Sequence, residues 1–251
     1  MKRRERHKLK ENPLATWVGE LTETAVSHGR QIAYGAIAVV AVAAIALGYT
    51  YWRNQAAGEA DAALAAALTV SEAPVVAPPA PGTPESPTPP APQPGTYPTE
   101  EAKLEAALPK FQAVVDQYPD SAAAKAALYH GAATLAGLGR LEEAATRYQE
   151  VIDRDSGNIY AQMAELGLAS VRVRQGQAEQ AIAIYEALAS AADTRLPVDA
   201  VLVEMARAYQ AAGRAQDAAR TYQRIVDEFP QSVYLADATA ALAEIKPGRQ
   251  S

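Results

Sequence analysis

The chain contains no cysteine among its 251 residues. That excludes disulfides, thiolate metal ligands, a cysteine nucleophile and a lipid anchor on cysteine. Histidine occurs three times, as His7, His28 and His130. One histidine without partners cannot build a metal site, and the neighbours of His130, Tyr129 and Gly131, offer none. Aromatic residues make up only 6% of the chain. No Gly-x-x-x-x-Gly-Lys-Ser/Thr loop occurs, no Gly-x-Gly-x-x-Gly fingerprint and no Gly-x-Ser-x-Gly elbow. The acidic pairs Glu142-Glu143 and Asp227-Glu228 are adjacent in sequence. On a helix such neighbours point different ways and make poor acid–base partners. The expectation is therefore no catalytic residue, no metal and no cofactor, in a chain that is not an enzyme.

What is abundant is alanine, inside an apolar fraction of 49%. Alanine favours helix and allows close helix–helix approach while burying little area. It recurs in register. Gly139, Gly176 and Gly213 stand 37 residues apart, and each carries the same neighbours. Seven residues before each glycine is an alanine (Ala132, Ala169, Ala206), and five after is another (Ala144, Ala181, Ala218). Tyr148, Tyr185 and Tyr222 follow, then Val151, Leu188 and Ile225. A fixed period of 20–50 residues marks a solenoid, whose units bury their apolar faces against copies of themselves. Three helical hairpins are expected. The first has helix A over Ala122–Leu138, a turn at Gly139-Arg140 and helix B over Leu141–Asp153. The second spans Ile159–Asp193, turning at Gly176-Gln177, and the third Val198–Pro230, turning at Gly213-Arg214. A capping helix is expected near Ser232–Ile245. Phe111, Val114, Tyr118 and Pro119 read as the second half of a degenerate earlier repeat. Its helix B would be Glu101–Gln117, kinked or split at Pro109, and residues 56–70 would be its helix A.

These residues resemble the tetratricopeptide repeat (TPR). Leu128, Ala132 and Leu135 take the helix A slots of the first unit, and Leu202, Met205, Ala206 and Tyr209 those of the third. The second departs from the pattern, with Glu165 in the aromatic slot and Arg172 in the tyrosine slot, while Leu168 and Ala169 fit. Ala-x-x-x-Tyr is intact in all three units, and the closing proline survives only at Pro119 and Pro230. The 37-residue period exceeds the family's 34, so longer turns between units are expected. The resemblance implies an all-α fold of three to four stacked hairpins that binds other proteins.

Residues 32–52 form an uncharged run of 21 residues bracketed by Arg30 and Arg53. As a helix it would be about 31 Å long, close to a bilayer's hydrocarbon thickness. Tyr49, Tyr51 and Trp52 cluster at one end, as an aromatic belt would. A buried soluble helix and a cleaved signal peptide are the competing readings. An uncleaved signal anchor is preferred, because the run is longer than a signal h-region and a long segment precedes it. Lys2, Arg3, Arg4, Arg6, Lys8 and Lys10 then hold the N-terminus in the cytoplasm. Leu14, Trp17, Val18, Leu21 and Val26 fall on one face of a helix capped by Asn12 and started by Pro13. That helix could lie on the inner leaflet or be a plain cytoplasmic helix. Eleven prolines between Ser71 and Pro98 suit an extended spacer, with recognition by a proline-binding domain as the other reading. The domains expected are thus 1–31 basic segment, 32–52 transmembrane helix, 53–70 helical extension, 71–98 proline-rich linker, 99–246 repeat domain and 247–251 tail. Residues 99–251 hold fifteen Lys/Arg against twenty-one Asp/Glu. That balance argues against nucleic acid as a partner.

This layout also resembles a bacterial family that includes the ancillary TPR subunit of the Sec translocon, a single-pass inner-membrane protein. The resemblance implies a membrane-anchored scaffold or adaptor, extracytoplasmic and chaperone-like at protein export. The competing reading is an envelope assembly or cell-division factor acting through homo-oligomerisation. In TPR stacks helix A forms most of the concave wall. Projection of helix A puts Tyr129, His130 and Ala133 on that wall, followed by Met163, Leu166, Ser170 and Arg174, then Val203, Arg207 and Gln210. The apolar character with two arginines would suit an extended peptide with apolar side chains and a carboxylate.

Overall fold

The computed structural model describes residues 29–76, 94–154 and 159–245. The basic N-terminal residues with the helix expected after Asn12, proline-rich residues 77–93, residues 155–158 and the tail from residue 246 lie outside the described residues. Regular structure among the described residues is entirely α-helical, save one isolated bridge between Val75 and Tyr97. The chain divides into two compact units, residues 1–56 and 57–251.

The described part of the first unit is the beginning of helix α1 (Gly29–Ser71). Between Ala33 and Ser71 lies a window with mean hydropathy 1.9, none of it buried, so this helix is long and apolar enough to cross a membrane. Apolar side chains stand exposed on all its sides, among them Tyr34, Ile37, Val40, Ile45 and Leu47.

In the second unit, helices follow one another as α2 (Glu100–Gln117), α3 (Ala122–Gly137), α4 (Leu141–Arg154), α5 (Ile159–Arg174), α6 (Ala178–Ser190), α7 (Val198–Ala211), α8 (Ala215–Glu228) and α9 (Leu235–Glu244). Local chemistry starts two of them. Thr99 and Ser121 each accept a hydrogen bond from the backbone N–H three residues on, at 3.1 and 3.0 Å, which satisfies a donor that the first helical turn leaves unpaired. Each helix packs on the next, and α3 also meets α5, as α5 meets α7. Contact between alternate helices as well as consecutive ones is what a stack of hairpins requires.

The three period-marking glycines close α3, α5 and α7 in one way. Their φ angles are 75°, 77° and 74°. Each donates to the carbonyl three residues back, and the residue after each (Arg140, Gln177, Arg214) donates to the carbonyl five back, at 2.8–3.0 Å. This pairing is the Schellman motif, in which a left-handed residue turns the chain while feeding the helix's last carbonyls.

Between hairpins, the connection from α6 to α7 takes seven residues, 191–197. The other expected long turn, before Ile159, lies outside the described residues. Helix α2 runs unbroken through Pro109, which does not split it. Pro109 is exposed, so its ring meets water and only one backbone hydrogen bond is lost. Ala107, Phe111, Val114 and Val115 hold the helix to the core on either side of the lesion.

Two clusters of buried side chains fill the unit. One contains Ala60 and Ala67 of α1 together with Ala107, Phe111, Ala132, Ala144 and Tyr148. The other contains Ala169, Ala181, Tyr185, Leu202, Ala206, Ala218 and Tyr222, and Ile184 packs against both. The alanines of the repeat are fully buried, and a larger residue at any of them would need the helices to part. Tyr148 shows what those helices enclose. A Cβ built on Gly167 of α5 would come within 2.5 Å of the Tyr148 ring, so the tyrosine of one hairpin lies against helix A of the next.

Candidate functional site

The wall formed by α3, α5 and α7 repeats at the 37-residue period. Tyr129, Leu166 and Val203 share one slot, and Ala133, Ser170 and Arg207 share a second. Ala136, Val173 and Gln210 share a third. The burial along these slots is uneven. Tyr129, His130, Ala133, Met163 and Leu166 are half-buried, and Ser170, Arg174, Arg207 and Gln210 are exposed. Val203 does not stand with them. It is 1% exposed and belongs to the core around Leu202 and Tyr185, so it is not a wall residue. A β-branched aliphatic is too short to reach past its helix neighbours here, whereas the ring of Tyr129 in the equivalent slot does reach out.

The wall is most aromatic at α3. The ring of Tyr129 lies 5.3 Å from His130, 6.1 Å from Tyr148 and 5.9 Å from Tyr160, centroid to centroid. His130 stacks on Phe111 at 5.6 Å with an interplanar angle of 17°. Such tilted and offset ring pairs add about 0.5–1.5 kcal/mol each beyond burial. Burial lowers the His130 pKa from its ordinary 6.5, opposed by the charge of Glu72, so the imidazole is held toward its neutral form. Burial raises the hydroxyls of Tyr129 and Tyr148. On α5, burial also raises the carboxyl of Glu165, the residue that takes the aromatic slot of the second unit.

Three polar residues of the wall, Arg174, Arg207 and Gln210, are engaged within the protein. Arg174 Nη1 donates to the carbonyl of Ala136 at 2.6 Å, tying α5 to the C-terminal turn of α3, where a cation is favoured. Arg207 Nη1 pairs with Glu204 at 2.6 Å. Gln210 Oε1 accepts from the Tyr222 hydroxyl at 3.1 Å. The arginines therefore serve the fold first, and a bound carboxylate would have to compete with existing acceptors.

Phe111, on α2, lies outside a projection of helix A; Tyr160 lies on helix A of the second hairpin, three residues before Met163, but is not among the residues projected. A signal for Phe111 was present. Ala107, Phe111 and Val114 precede Ala144, Tyr148 and Val151 by the same 37 residues. Tyr160 sits at the first turn of α5 and is placed there only by the approach of the two hairpins. Chemically, the wall offers half-exposed rings and aliphatic groups beside exposed polar ends, with no nucleophile–base pair among its residues. No group of three His, Asp or Glu that could hold a metal occurs among the described residues.

A family of tetratricopeptide repeat-like domains matches residues 27–246. No curated protein matches the chain. Several solved structures are similar. One is described as a kinesin light chain of Podosopora anserina with nearly identical TPR-like repeats. It is 20% identical over 57% of this chain and 77% of its own, with a TM-score of 0.50. A tetratricopeptide repeat protein from Parabacteroides merdae is 19% identical over 58% of this chain and 55% of its own, with a TM-score of 0.47. A thermophilic TPR protein of Thermus thermophilus is 17% identical over 56% of this chain and 91% of its own, with a TM-score of 0.33. At these identities the likeness concerns the fold alone.

Proposed function

The chain belongs to the tetratricopeptide repeat-like domain family, and on that premise we propose that it is a membrane-anchored adaptor that binds other proteins on its helix A wall. The family's domains act as protein-binding scaffolds and are in general not catalytic. In this reading the apolar run 32–52 spans a bacterial inner membrane once, with the basic N-terminus in the cytoplasm. The proline-rich residues 71–98 are a spacer, and the repeat domain, 99–246, works outside the cytoplasm. Residues 57–71 complete the stack as helix A of a first hairpin, paired with α2; the burial of Ala60 and Ala67 beside Phe111 supports this.

The observation that carries the reading is the half-exposed wall of Tyr129, His130, Met163 and Leu166 on helices whose opposite faces are fully packed. Rings and aliphatic groups left at a surface in this pattern are what an apolar peptide segment needs. An unfolded or newly exported polypeptide supplies such segments, which supports a chaperone-like role near protein export.

The test is photo-crosslinking in intact bacterial cells from an unnatural residue at Leu166 or Ser170, with Glu179 as a control outside the wall. Capture of exported polypeptides from the wall positions and not from Glu179 is expected. Equal capture from all three would overturn the assignment of the wall. Protease added to spheroplasts should destroy the repeat domain, and protection would reverse the orientation.

A further inference from the structure

A second surface lies away from that wall, where α6, α7 and α8 meet. It is an open cleft of about 540 Å³. Its floor is Met205 and Tyr209 of α7, 5% and 7% exposed, and its sides are Glu186 of α6 and Thr221 of α8. Two repeats earlier, at positions 74 residues lower, the same four places are Gly131, Leu135, Gln112 and Arg147. They line a space of only about 20 Å³. There Arg147 fills the gap with its own side chain and donates from Nη2 to Gln112 Oε1 at 2.9 Å. In the later repeat Thr221 has replaced that arginine and turns its hydroxyl to the Asp217 carbonyl at 2.9 Å. Glu186 has replaced Gln112, so the acceptor remains and now carries a charge.

We propose that this cleft receives an arginine side chain from a partner polypeptide, seated over Met205 and Tyr209 with its guanidinium on Glu186. The earlier repeat displays the occupied form of the same slot with the arginine supplied in cis. Glu186 is exposed, and its Oε1 accepts from the Tyr209 hydroxyl at 2.6 Å, which fixes the carboxylate at the cleft mouth. An arginine stem lies readily along apolar groups while its head stays at the polar rim. A guanidinium on a carboxylate makes the stronger, charge-assisted class of hydrogen bond. Asp227 adds negative charge to the same cleft. Arg220 and Arg224 stand in the cleft's lining, and Arg214, which is not part of it, lies over the Tyr209 ring at 4.7 Å to the centroid. Arg220 pairs along α8 with Asp217, and Arg224 pairs with Glu228 at 3.1 Å. The repeat region's excess of acidic over basic residues favours a basic partner as well.

The experiment uses the full chain in a neutral detergent and fluorescence anisotropy. The probe is a fluorescein-labelled peptide of alternating alanine and arginine, and its twin has every arginine replaced by citrulline. The twin is expected to bind at least tenfold more weakly. Thr221→Arg should close the cleft from within, as Arg147 does, and cut affinity at least tenfold while helicity and melting temperature are kept. Glu186→Gln keeps the acceptor for Tyr209 and should weaken binding severalfold. Glu142→Gln removes an exposed carboxylate of α4, outside both the cleft and the helix A wall, and should bind as the parent does. No binding of the arginine peptide, equal binding of the citrulline twin, or parental affinity in a folded Thr221→Arg chain would each overturn the proposal. So would a loss in Glu142→Gln as large as in Glu186→Gln, which would mark the binding as attraction to acidic charge in general.

Discussion

Three glycines inside helix A offer the same substitution with opposite expected signs. Replacing glycine by alanine within a helix ordinarily stabilises by about 0.5–1 kcal/mol, because the unfolded chain loses freedom. At Gly131 the new methyl would find its nearest neighbour, Phe111 Cβ, at 3.7 Å, an ordinary contact. Gly131→Ala should therefore gain that full amount. At Gly137 the methyl would come 2.8 Å from Leu104 Cδ1, the free end of a flexible side chain that can turn away, so Gly137→Ala should be close to neutral. At Gly167 it would come 2.5, 2.7 and 2.8 Å from three atoms of the Tyr148 ring. That ring is 4% exposed and wedged between hairpins, so it cannot swing aside. Overpacking of this kind costs about 1–3 kcal/mol. Set against the helix gain, Gly167→Ala should lose about 1–2 kcal/mol, which for a unit of this size is a fall in Tm of roughly 3–6 °C. Thermal denaturation by circular dichroism on the three variants gives the answer. Tyr148→Leu combined with Gly167→Ala should show coupling, the second change costing less once the ring is gone. A Gly167→Ala protein as stable as Gly131→Ala would refute the placement of Tyr148 against α5.

Ala181→Trp should overpack the second core cluster, where Ala181 is fully buried, and lower the melting temperature by several degrees in the same assay. Gly176→Ala forces a side chain onto a backbone at φ 77° and should cost about 1–2 kcal/mol by chemical denaturation. His130 has a folded pKa below its ordinary 6.5, so the folded state binds fewer protons than the unfolded state near that pH. Its contribution is intact above pH 6.5 and is lost as pH falls through the folded pKa. Tm should therefore drop on acidification from pH 7 toward 5, and His130→Phe, which keeps a ring on Phe111, should flatten that drop. A fragment of residues 57–251 should melt well above one of residues 99–251, because the shorter piece strips Ala60 and Ala67 from the core and uncovers Phe111; equal melting would place residues 57–71 outside the fold.

The hairpins were legible because their determinants are local and recur. A glycine that must turn left-handed, an alanine that must let helices touch and a tyrosine that must fill the gap leave the same mark every 37 residues. The proposed wall is harder to read from sequence. Periodicity names a slot, but burial in that slot depends on what the residue can reach, and so Tyr129 emerges where Val203 does not. The roles of Arg174 and Arg207 were hidden for a different reason. Their acceptors, Ala136 and Glu204, lie one hairpin or one helical turn away, and sequence shows the charge without showing what is near it. The cleft at Glu186 was invisible until positions 74 residues apart were compared in space, since neither Thr221 nor Arg147 is unusual on the surface of a helix.

Stacking of successive hairpins in a single register underlies both proposed binding surfaces, and the absence of cysteine makes it directly measurable. Cysteine pairs would be placed at Glu179 with Arg214, which face each other at the surface at 3.0 Å, at their equivalents 37 residues lower, Glu142 with Gln177, and at Glu142 with Arg214, then treated with a short bis-maleimide. The first two pairs join helix B of one hairpin to the turn of the next and should crosslink within the folded monomer, while the third skips a repeat and should not. Crosslinking of the skipped pair as readily as the adjacent ones, in variants that keep full helicity, would contradict the stack.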